Sequence, residues 1–301
     1  MTTPDLLAEA DEADARAAKA AGVVVRGLDA LEELEAMVAL FDEVWVPDDG
    51  NSSLSVDLLR ALTKAGNYAA GGYDLVSGEL LGACVGFFGP PAHAELHSHI
   101  AGVRQAGLGR SVGFALKMHQ RAWCLRRDVR RIAWTYDPLI RRNSYFNLVK
   151  LGARPAEYLR NFYGAMDDAI NGGTETDRML VHWDLRSALA VEASAGRGQA
   201  ASFAAELARG AVVALSAGPD GYPVSRLTPD GLLPGTGQAG RTLLVGVPAD
   251  IEAMRLADPA LAGAWRTALR GALAPLLNGG ARVTGFDREG WYVVSLGGDV
   301  R

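Results

Sequence analysis

The segment Glu95–Gly113 reads ELHSHIAGVRQAGLGRSVG, and it decides the fold. Its first nine residues end at the apolar Val103 and predict a β-strand. Glycines follow at positions 107, 109 and 113, and a helix with one apolar face is predicted from about Ser111 to Arg127. A strand that enters a helix through glycines leaves backbone N–H groups unpaired at the start of the helix, and such donors suit a diphosphate.

Strands and helices alternate on both sides of this segment. Upstream, the sequence predicts a helix over 4–21, a strand over 23–28, helices over 31–41 and 55–65, and strands over 68–76 and 80–88. Downstream, it predicts a strand over 131–136, a helix opened by Asp137-Pro138 and closed by Gly152, and strands over 154–163 and 179–185. The order β, α, α, β, β, β, α, β, α, β, β predicts an α/β fold.

Three distinctive sequence motifs lie downstream of the segment: WTYDPL at 134–139, RRNSYFNLVKLGA at 141–153 and NFYG at 161–164. Together with residues 96–125 they resemble a bacterial group of predicted GNAT acetyltransferases, and the element order is that of the GNAT superfamily. The resemblance covers about the first 186 residues. It implies a GNAT acyl-CoA N-acyltransferase fold, with a mixed central sheet flanked by helices, over residues 1–186.

The resemblance also implies that acetyl-CoA, or another acyl-CoA, binds the glycine turn as co-substrate. Members of the family cradle the coenzyme A diphosphate on a six-residue stretch that starts with Gln or Arg, has Gly at its fourth position and has Gly or Ala at its sixth. Residues 104–109 match these letters, but in the family the last glycine lies ten positions after the apolar residue that ends the strand. That count from Val103 selects Gly113. The expected coenzyme-binding residues are therefore Val103, Leu108, Gly109, Arg110, Ser111, Val112 and Gly113, of which Leu108 and Ser111 depart from the family pattern.

Asn143 and Phe146 are further coenzyme candidates, on the helix after the next strand. In relatives, asparagines on this helix bind the pantetheine arm, so Asn147 is a candidate too, and local capping or solvent exposure is the alternative for both asparagines. For Phe146, core packing is the favoured alternative. Two alternatives concern the glycine turn itself. A dinucleotide-binding fingerprint fails because Val112 stands where its third glycine belongs. A turn that only links strand to helix stays open.

The predicted strand carries the residues that suggest catalysis. Period-two alternation places Glu95, His97 and His99 on one face. Acyl transfer to an amine releases a proton, which a histidine can accept near neutral pH. The resemblance selects His99 as the general base, with Glu95 or His97 in support. Histidines bonded within the core, and a metal site that adds His93, are the alternatives.

A general acid is missing at the position that the resemblance implies. Many relatives place a tyrosine four residues before the glycine that closes the helix, and here that residue is Leu148. Tyr145, one turn earlier, and Tyr136, Tyr158 and Tyr163 are more distant candidates. The leaving thiolate could instead take its proton from solvent.

Bulk composition limits the partners. The chain has 301 residues, of which 49% are hydrophobic, and a net charge of -5, so no nucleic-acid partner is expected. No apolar run approaches the roughly 20 residues of a membrane span, so no membrane partner is expected either. Two cysteines, no basic-then-apolar leader, and heavy use of Ala, Gly and Arg predict a cytoplasmic, bacterial protein.

Residues 187–301 are predicted to form a C-terminal α/β extension, as a degenerate second half of the fold or a docking lobe. The predicted elements are a helix over 187–211, a loop over 216–240, a strand over 241–248, a helix from Asp258-Pro259 to Leu277, and strands near Val283 and Tyr292. This lobe could shape the acceptor pocket or a homodimer interface. Two functions follow: acyl transfer to a small-molecule amine, or a non-catalytic acyl-CoA-binding sensor or scaffold.

Overall fold

The computed structural model of the protein describes residues 3–45, 54–164, 175–228, 233 and 240–297. Parts of the predicted loop over 216–240 lie outside these residues. The chain forms two compact units that interleave in sequence. Unit 1 comprises Met1–Trp134 and Trp183–Ala195, and unit 2 comprises Thr135–His182 and Gly196–Arg301. The predicted family boundary at 186/187 stays a prediction, and the compact units divide the chain elsewhere.

The first half of the chain contains the predicted elements in the predicted order. They are α1 (Thr3–Ala21), β1 (Val23–Gly27), α2 (Leu31–Val44), α3 (Val56–Lys64), β2 (Tyr68–Asp74), β3 (Leu80–Phe88), β4 (Glu95–Val103), α4 (Val112–Leu125), β5 (Arg131–Tyr136), α5 (Arg141–Tyr145), β6 (Arg154–Leu159) and β7 (Arg178–Asp184). A π-helical turn, Phe146–Lys150, continues α5.

The later elements are more numerous than predicted. They are α6 (Ala188–Ser194), α7 (Phe203–Ala208), β8 (Val212–Ala217), β9 (Pro223–Ser225), β10 (Thr242–Gly246), α8 (Ile251–Ala257), α9 (Pro259–Asn278), β11 (Arg282–Asp287) and β12 (Trp291–Ser295).

Two sheets organise these elements. The first has the strand order β1-β2-β3-β4-β5-β7-β6. Successive strands from β1 to β4 pair antiparallel with one another, and β4 and β5 are parallel. The second has the order β11-β12-β10-β8-β9, with β8 and β10 parallel. The fold is therefore α/β, with a mixed sheet flanked by helices and a C-terminal α/β extension, which confirms the predicted class.

The C-terminal prediction is wrong in three places. The helix predicted over 187–211 is two helices, because Gly196 takes φ +77 and Ser202 begins α7 by accepting a hydrogen bond from the Ala205 N–H. Strands β8 and β9 extend into the predicted loop, and α8 begins where the Asp250 carboxylate accepts from the Ala253 N–H. These short elements lack the long periodic pattern that identifies an element from sequence.

Close backbone approach at two glycines sets α4 directly on the first sheet. A Cβ built on Gly82 would lie 3.0 Å from Val112 Cγ1 and 3.0 Å from the Gly102 carbonyl oxygen, and one built on Gly72 would lie 3.5 Å from the same Val112 atom. A larger residue at Gly82 would displace the first turn of α4. The sheet therefore fixes where α4 begins.

A buried carboxylate joins distant parts of unit 2. Asp137 belongs to the WTYDPL motif. Both of its carboxylate oxygens accept hydrogen bonds from Arg266, at 2.8 and 2.6 Å, and Oδ2 also accepts one from Arg255 at 2.5 Å. Asp137 is almost fully buried, yet these guanidinium groups hold its pKa at about 2, against the opposing effect of burial. Arg270 makes a similar pair with Asp177. Residues 135–182 and α8–α9 therefore share one core.

No helix among the described residues is long and apolar enough to cross a membrane. Cys84 in β3 and Cys124 in α4 are free and buried, in a strand and a helix as predicted.

Replacing Asp14 tests how α1 is held in unit 1. Burial raises the pKa of this carboxyl from 3.8 to about 6, with the positive charge of Arg126 opposing the shift. The folded state therefore binds a proton at this carboxyl more tightly than the unfolded state does. The stability gained from that proton is complete below pH 3.8 and is lost as the pH rises through about 6. Asp14→Asn should raise the free energy of unfolding by about 1 kcal/mol at pH 7.5, a value discounted for partial solvent screening, and by almost nothing at pH 4.

Urea unfolding at the two pH values measures this difference. Glu12→Gln, on the exposed side of the same helix, is the control and should change stability by less than about 0.5 kcal/mol at either pH. An equal effect of Asp14→Asn at both pH values would contradict the argument.

Candidate functional site

Strand β4 is paired along most of its length with β3 but only at its start with β5. It pairs with β3 from Leu96 to Val103, but its register with β5 contains only three pairs, which begin at Glu95↔Arg131 and end at His97↔Ala133. Both strands are parallel, so the pairs lie at their N-terminal ends. The second half of β4 is therefore without a ladder partner on its β5 side among the described residues. An unpaired strand edge offers backbone donors and acceptors to a ligand.

A β-bulge lies where this pairing stops. Ser98 is opposite Gly86 and Ile100 is opposite Val85, so His99 is an extra residue without a partner in β3. Bulges bend a strand and redirect a side chain, and they are frequent beside active sites. Here the bulge turns β4 at the point where β5 leaves it.

The loop after β4 forms a concave set of backbone donors. Gly109 has φ +76 and Ser111 has φ +66, so left-handed residues alternate before α4. The N–H groups of Gly109, Ser111, Val112 and Gly113 have no hydrogen-bond acceptor among the described residues. Successive N–H groups in this arrangement bind anions, and the partial positive charge of a helix N-terminus adds to the attraction. We call these four groups the N–H cluster.

Side chains of the loop anchor it to the sheet. Arg110 donates to the carbonyl oxygens of Ala21 and Gly22 and pairs with Asp74 at 2.6 Å. The same Asp74 accepts from two N–H groups of the β2–β3 turn, and hydrogen bonds with Arg110 and this turn lower its pKa to about 2. The guanidinium of Arg110 is thus engaged within the protein, and any role in coenzyme binding would fall to its backbone.

The remaining loop side chains differ in exposure. Val112 is buried against the sheet, Val103 is half-buried, and Leu108 is 56% exposed. The N–H cluster is therefore backed by apolar side chains on the protein side.

His97 and His99 lie together on one face of β4, as predicted. Their ring centroids are 6.3 Å apart, and both rings contact Phe87, at 5.1 and 5.7 Å. Partial burial lowers the pKa of each imidazole, and for His97 the neighbouring His99 lowers it further. Both side chains are therefore neutral at pH 7 and able to accept a proton.

Glu95 forms a short ion pair with Arg131, at the end where β4 and β5 are still paired. Over the ranges that the structure describes, its carboxylate makes no hydrogen bond with either imidazole, but its negative charge partly opposes the lowering of the His97 pKa. Among the described residues, His93, His97 and His99 do not form a three-ligand metal group. The predicted roles of Glu95, His97 and His99 stay predictions.

A buried polar cluster behind β4 was not predicted. Lys117 of α4 is fully buried, and its ammonium donates to Ser98 Oγ at 2.7 Å and to Gln120 Oε1 at 3.0 Å. It also lies 4.3 Å from the centroid of the Trp134 ring. Burial lowers the pKa of this lysine. No local signal marked this cluster, because Lys117, Gln120 and Arg121 recur at helical spacing beside the predicted apolar face, as the polar side of a surface helix does.

The tyrosines considered as general acids lie in unit 2, and two of them, Tyr136 and Tyr158, are part of its buried core. Tyr136 and Tyr158 are buried, and burial raises the pKa of both, that of Tyr136 to about 12. Tyr158 donates to Asp177 at 2.8 Å. Leu148, at the position that the sequence resemblance selects for a tyrosine, is buried in the π-helical turn.

Asn143 and Phe146 also lie in unit 2 and are half-buried, at α5 and the start of the π-helical turn. Their assignment to the coenzyme stays a prediction.

No family model matches the sequence, and no curated protein is significantly similar to it. Among solved structures, the chain is similar to the ribosomal-protein-S18-alanine N-acetyltransferase from Escherichia coli, with 14% identity over 55% of this chain and 96% of that one, at a TM-score of 0.44. It is similar to an N-acetyltransferase from Staphylococcus aureus Mu50, with 15% identity over 55% and 99% of the chains and a TM-score of 0.45. A NatC complex bound to a Gag peptide and CoA has 14% identity over 54% and 98%, with a TM-score of 0.42. This level of likeness assigns neither a substrate nor a site residue to the chain.

Replacing Lys117 tests the buried cluster. Because its pKa is lowered in the folded state, the unfolded chain binds the proton more readily, and wild-type stability should rise with pH up to about 10.5. The free energy of unfolding of the wild type, relative to Lys117→Met, should therefore increase as the pH rises from neutral towards 10.5. Lys64→Met, at an exposed position of α3, should show no such trend. Denaturant titrations at four pH values measure both, and a flat difference for Lys117→Met would contradict a strained buried ammonium.

Proposed function

We propose that this chain is an acyl-CoA-dependent N-acyltransferase of the GNAT type, which transfers an acetyl or other short acyl group to an amine of a small molecule. The single observation that carries the proposal is the N–H cluster at the start of α4, beside a strand whose second half is unpaired towards β5. Sequence resemblance and chain topology agree with it.

The donor set fits the diphosphate of coenzyme A. Four backbone N–H groups at a helix N-terminus, none of which has an acceptor within the described part of the chain, can each donate to a phosphate oxygen. Because these donors belong to the backbone, Leu108 and Ser111 can depart from the family pattern without removing them. The free edge of β4 would receive the amide groups of the pantetheine arm, as an added strand would.

His99 is proposed as the general base. The neutral amine attacks the thioester carbonyl carbon, the C–N bond forms and the C–S bond breaks, and His99 accepts the proton of the amine directly or through a water molecule. The coenzyme A thiolate then takes a proton from solvent. The bulge exposes His99 while His97 packs beside it on Phe87, which favours His99 as the residue that meets the acceptor.

The net charge of the chain is the basis for the proposed class of acceptor. The net charge of -5 favours a small amine, which is a cation before it loses its proton, over a polyanion such as nucleic acid. A cytoplasmic location and a homodimer are kept as further proposals.

Substitution of His99 tests the base. His99→Ala should lower kcat about 100-fold at pH 7.5, because general-base catalysis contributes at least that much, while the affinity for acetyl-CoA stays within threefold. Thiol release from acetyl-CoA against a panel of small amines measures this. His93→Ala removes an exposed histidine of the turn before β4 and should leave the rate unchanged. In the wild type, kcat should fall only below pH 6.5, since the pKa of His99 is lowered.

Substitution of Gly113 tests the N–H cluster. Gly113→Pro removes one donor in the first helical turn, where proline is tolerated, and should weaken coenzyme A binding about tenfold. Gly113→Ala keeps the donor, and its Cβ would lie 3.8 Å from Val103, an ordinary contact, so binding should change less than threefold. Calorimetric titration with coenzyme A measures both. Equal affinities for the two variants would remove the basis of the proposal.

A non-catalytic acyl-CoA sensor is the second candidate, and one observation favours it. Leu148, which is buried, stands at the position that the resemblance implies for a proton-donating tyrosine when residues are counted back from Gly152. A sensor would bind acetyl-CoA with heat but release no thiol with any amine, and His99→Ala would change neither measurement. Absence of binding would count against both functions.

A further inference from the structure

A half-open cleft of about 440 Å³ lies within unit 2, whereas the residues of the N–H cluster belong to unit 1. It is bounded by α5 and the π-helical turn, by the residues that lead into α8, and by the β11–β12 turn. Its lining residues are Ile140, Arg141, Arg142, Tyr145, Lys150, Ala249, Asp250, Ile251, Glu252 and Arg288. The volume is that of a small-molecule site and is too small for a folded partner.

The two carboxylates of the cleft are already engaged. Glu252 accepts two hydrogen bonds from Arg142, one of them at 2.7 Å. Asp250 is the N-cap of α8, where it accepts from the Ala253 N–H at 2.9 Å. Both acidic groups act on Arg142 and raise its pKa. The positive charge of Arg142 is therefore neutralised by carboxylates of the same cleft.

The other three cations have no such partner. Arg141, Lys150 and Arg288 form no ion pair with a carboxylate among the described residues. Arg141 donates only to the carbonyl oxygen of Glu289, at 3.3 Å, and the Arg288 guanidinium lies 5.8 Å from the centroid of the Tyr145 ring. Three like charges around one cavity repel one another unless an anion joins them.

The cleft also offers an apolar side. Ile140 and Ile251 are buried in its wall, and Tyr145 is half-buried with no described hydrogen bond at its hydroxyl. A ligand could therefore place an anionic group among the cations and a ring or short chain against the isoleucines.

We infer that this cleft is a second binding site, for a small organic molecule that carries a phosphate ester. Guanidinium groups donate to phosphate oxygens in pairs, and the ammonium of Lys150 and the hydroxyl of Tyr145 supply further donors. In a protein of net charge -5, a cavity lined by four cations and only two carboxylates selects an anionic ligand. The inference does not depend on acyl transfer.

Calorimetry with the full chain and inorganic pyrophosphate, at low ionic strength and pH 7.5, tests the site. The double variant Lys150→Gln/Arg288→Gln should raise the Kd of the cleft at least about tenfold, because it removes two charged donors. The control Arg209→Gln/Arg282→Gln has the same net charge and alters exposed residues outside the cleft, so binding should stay within twofold.

The N–H cluster would also bind pyrophosphate, and Gly113→Pro separates the two sites. If both exist, the wild type binds two equivalents, Gly113→Pro retains the cleft and the double variant retains the N–H cluster. One equivalent that only the double variant removes would support the cleft and contradict the proposed coenzyme site. One equivalent that only Gly113→Pro removes would overturn the cleft.

Two further measurements complete the test. Thermal melting should show that the double variant remains folded, since its substitutions are on exposed side chains. Titration with citrate should give binding at least fivefold weaker than with pyrophosphate. Tighter, cleft-dependent binding of citrate would overturn the phosphate assignment in favour of a carboxylate ligand.

Discussion

The proposed site depends on the early end of the pairing between β4 and β5. Three pairs join these strands, and beyond His97 the edge of β4 has no ladder partner on that side among the described residues. The bulge at His99 bends the strand at the same place, and the following loop presents N–H groups that neither strand nor helix can satisfy. An antiparallel neighbour along the whole of β4 would have paired the backbone groups of this edge and left no room for a ligand beside the loop. The unmet hydrogen bonds thus arise from topology more than from any single side chain.

The bounds of β4 and the face shared by its histidines could be predicted, because alternation and a glycine-rich end are local signals. The bulge could not, since one extra residue changes neither composition nor periodicity. Lys117 was missed for a related reason. A lysine on a helix is usually exposed, and its burial depends on Ser98 and Trp134, which lie far away in sequence. The N–H cluster was predicted from its glycines, whereas the left-handed Ser111 was not.

Asp137 shows why the organisation of the second half was harder to predict. Asp-Pro is a common helix start, so the sequence favours a local role for this carboxylate. Its partners, Arg255 and Arg266, lie 118 and 129 residues away. Removing either side of such a buried pair leaves an uncompensated charge, which typically costs about 3–5 kcal/mol. Residues after 195 therefore complete the core around WTYDPL, whatever evolutionary boundary the family resemblance implies.

The π-helical turn at Phe146–Lys150 affects how this chain is compared with relatives. The Leu151 N–H donates to the Phe146 carbonyl oxygen, five residues back, so the turn contains one amino acid more than an α-helical turn. Such a turn is what a single-residue insertion leaves behind. Counting back from Gly152 to Leu148 assumes an uninterrupted α-helix, and the extra amino acid rotates every earlier side chain by about 100° about the axis. A homologue with a regular helix would align here only after a one-residue gap, and its tyrosine would then face a different neighbour from the one that Leu148 faces.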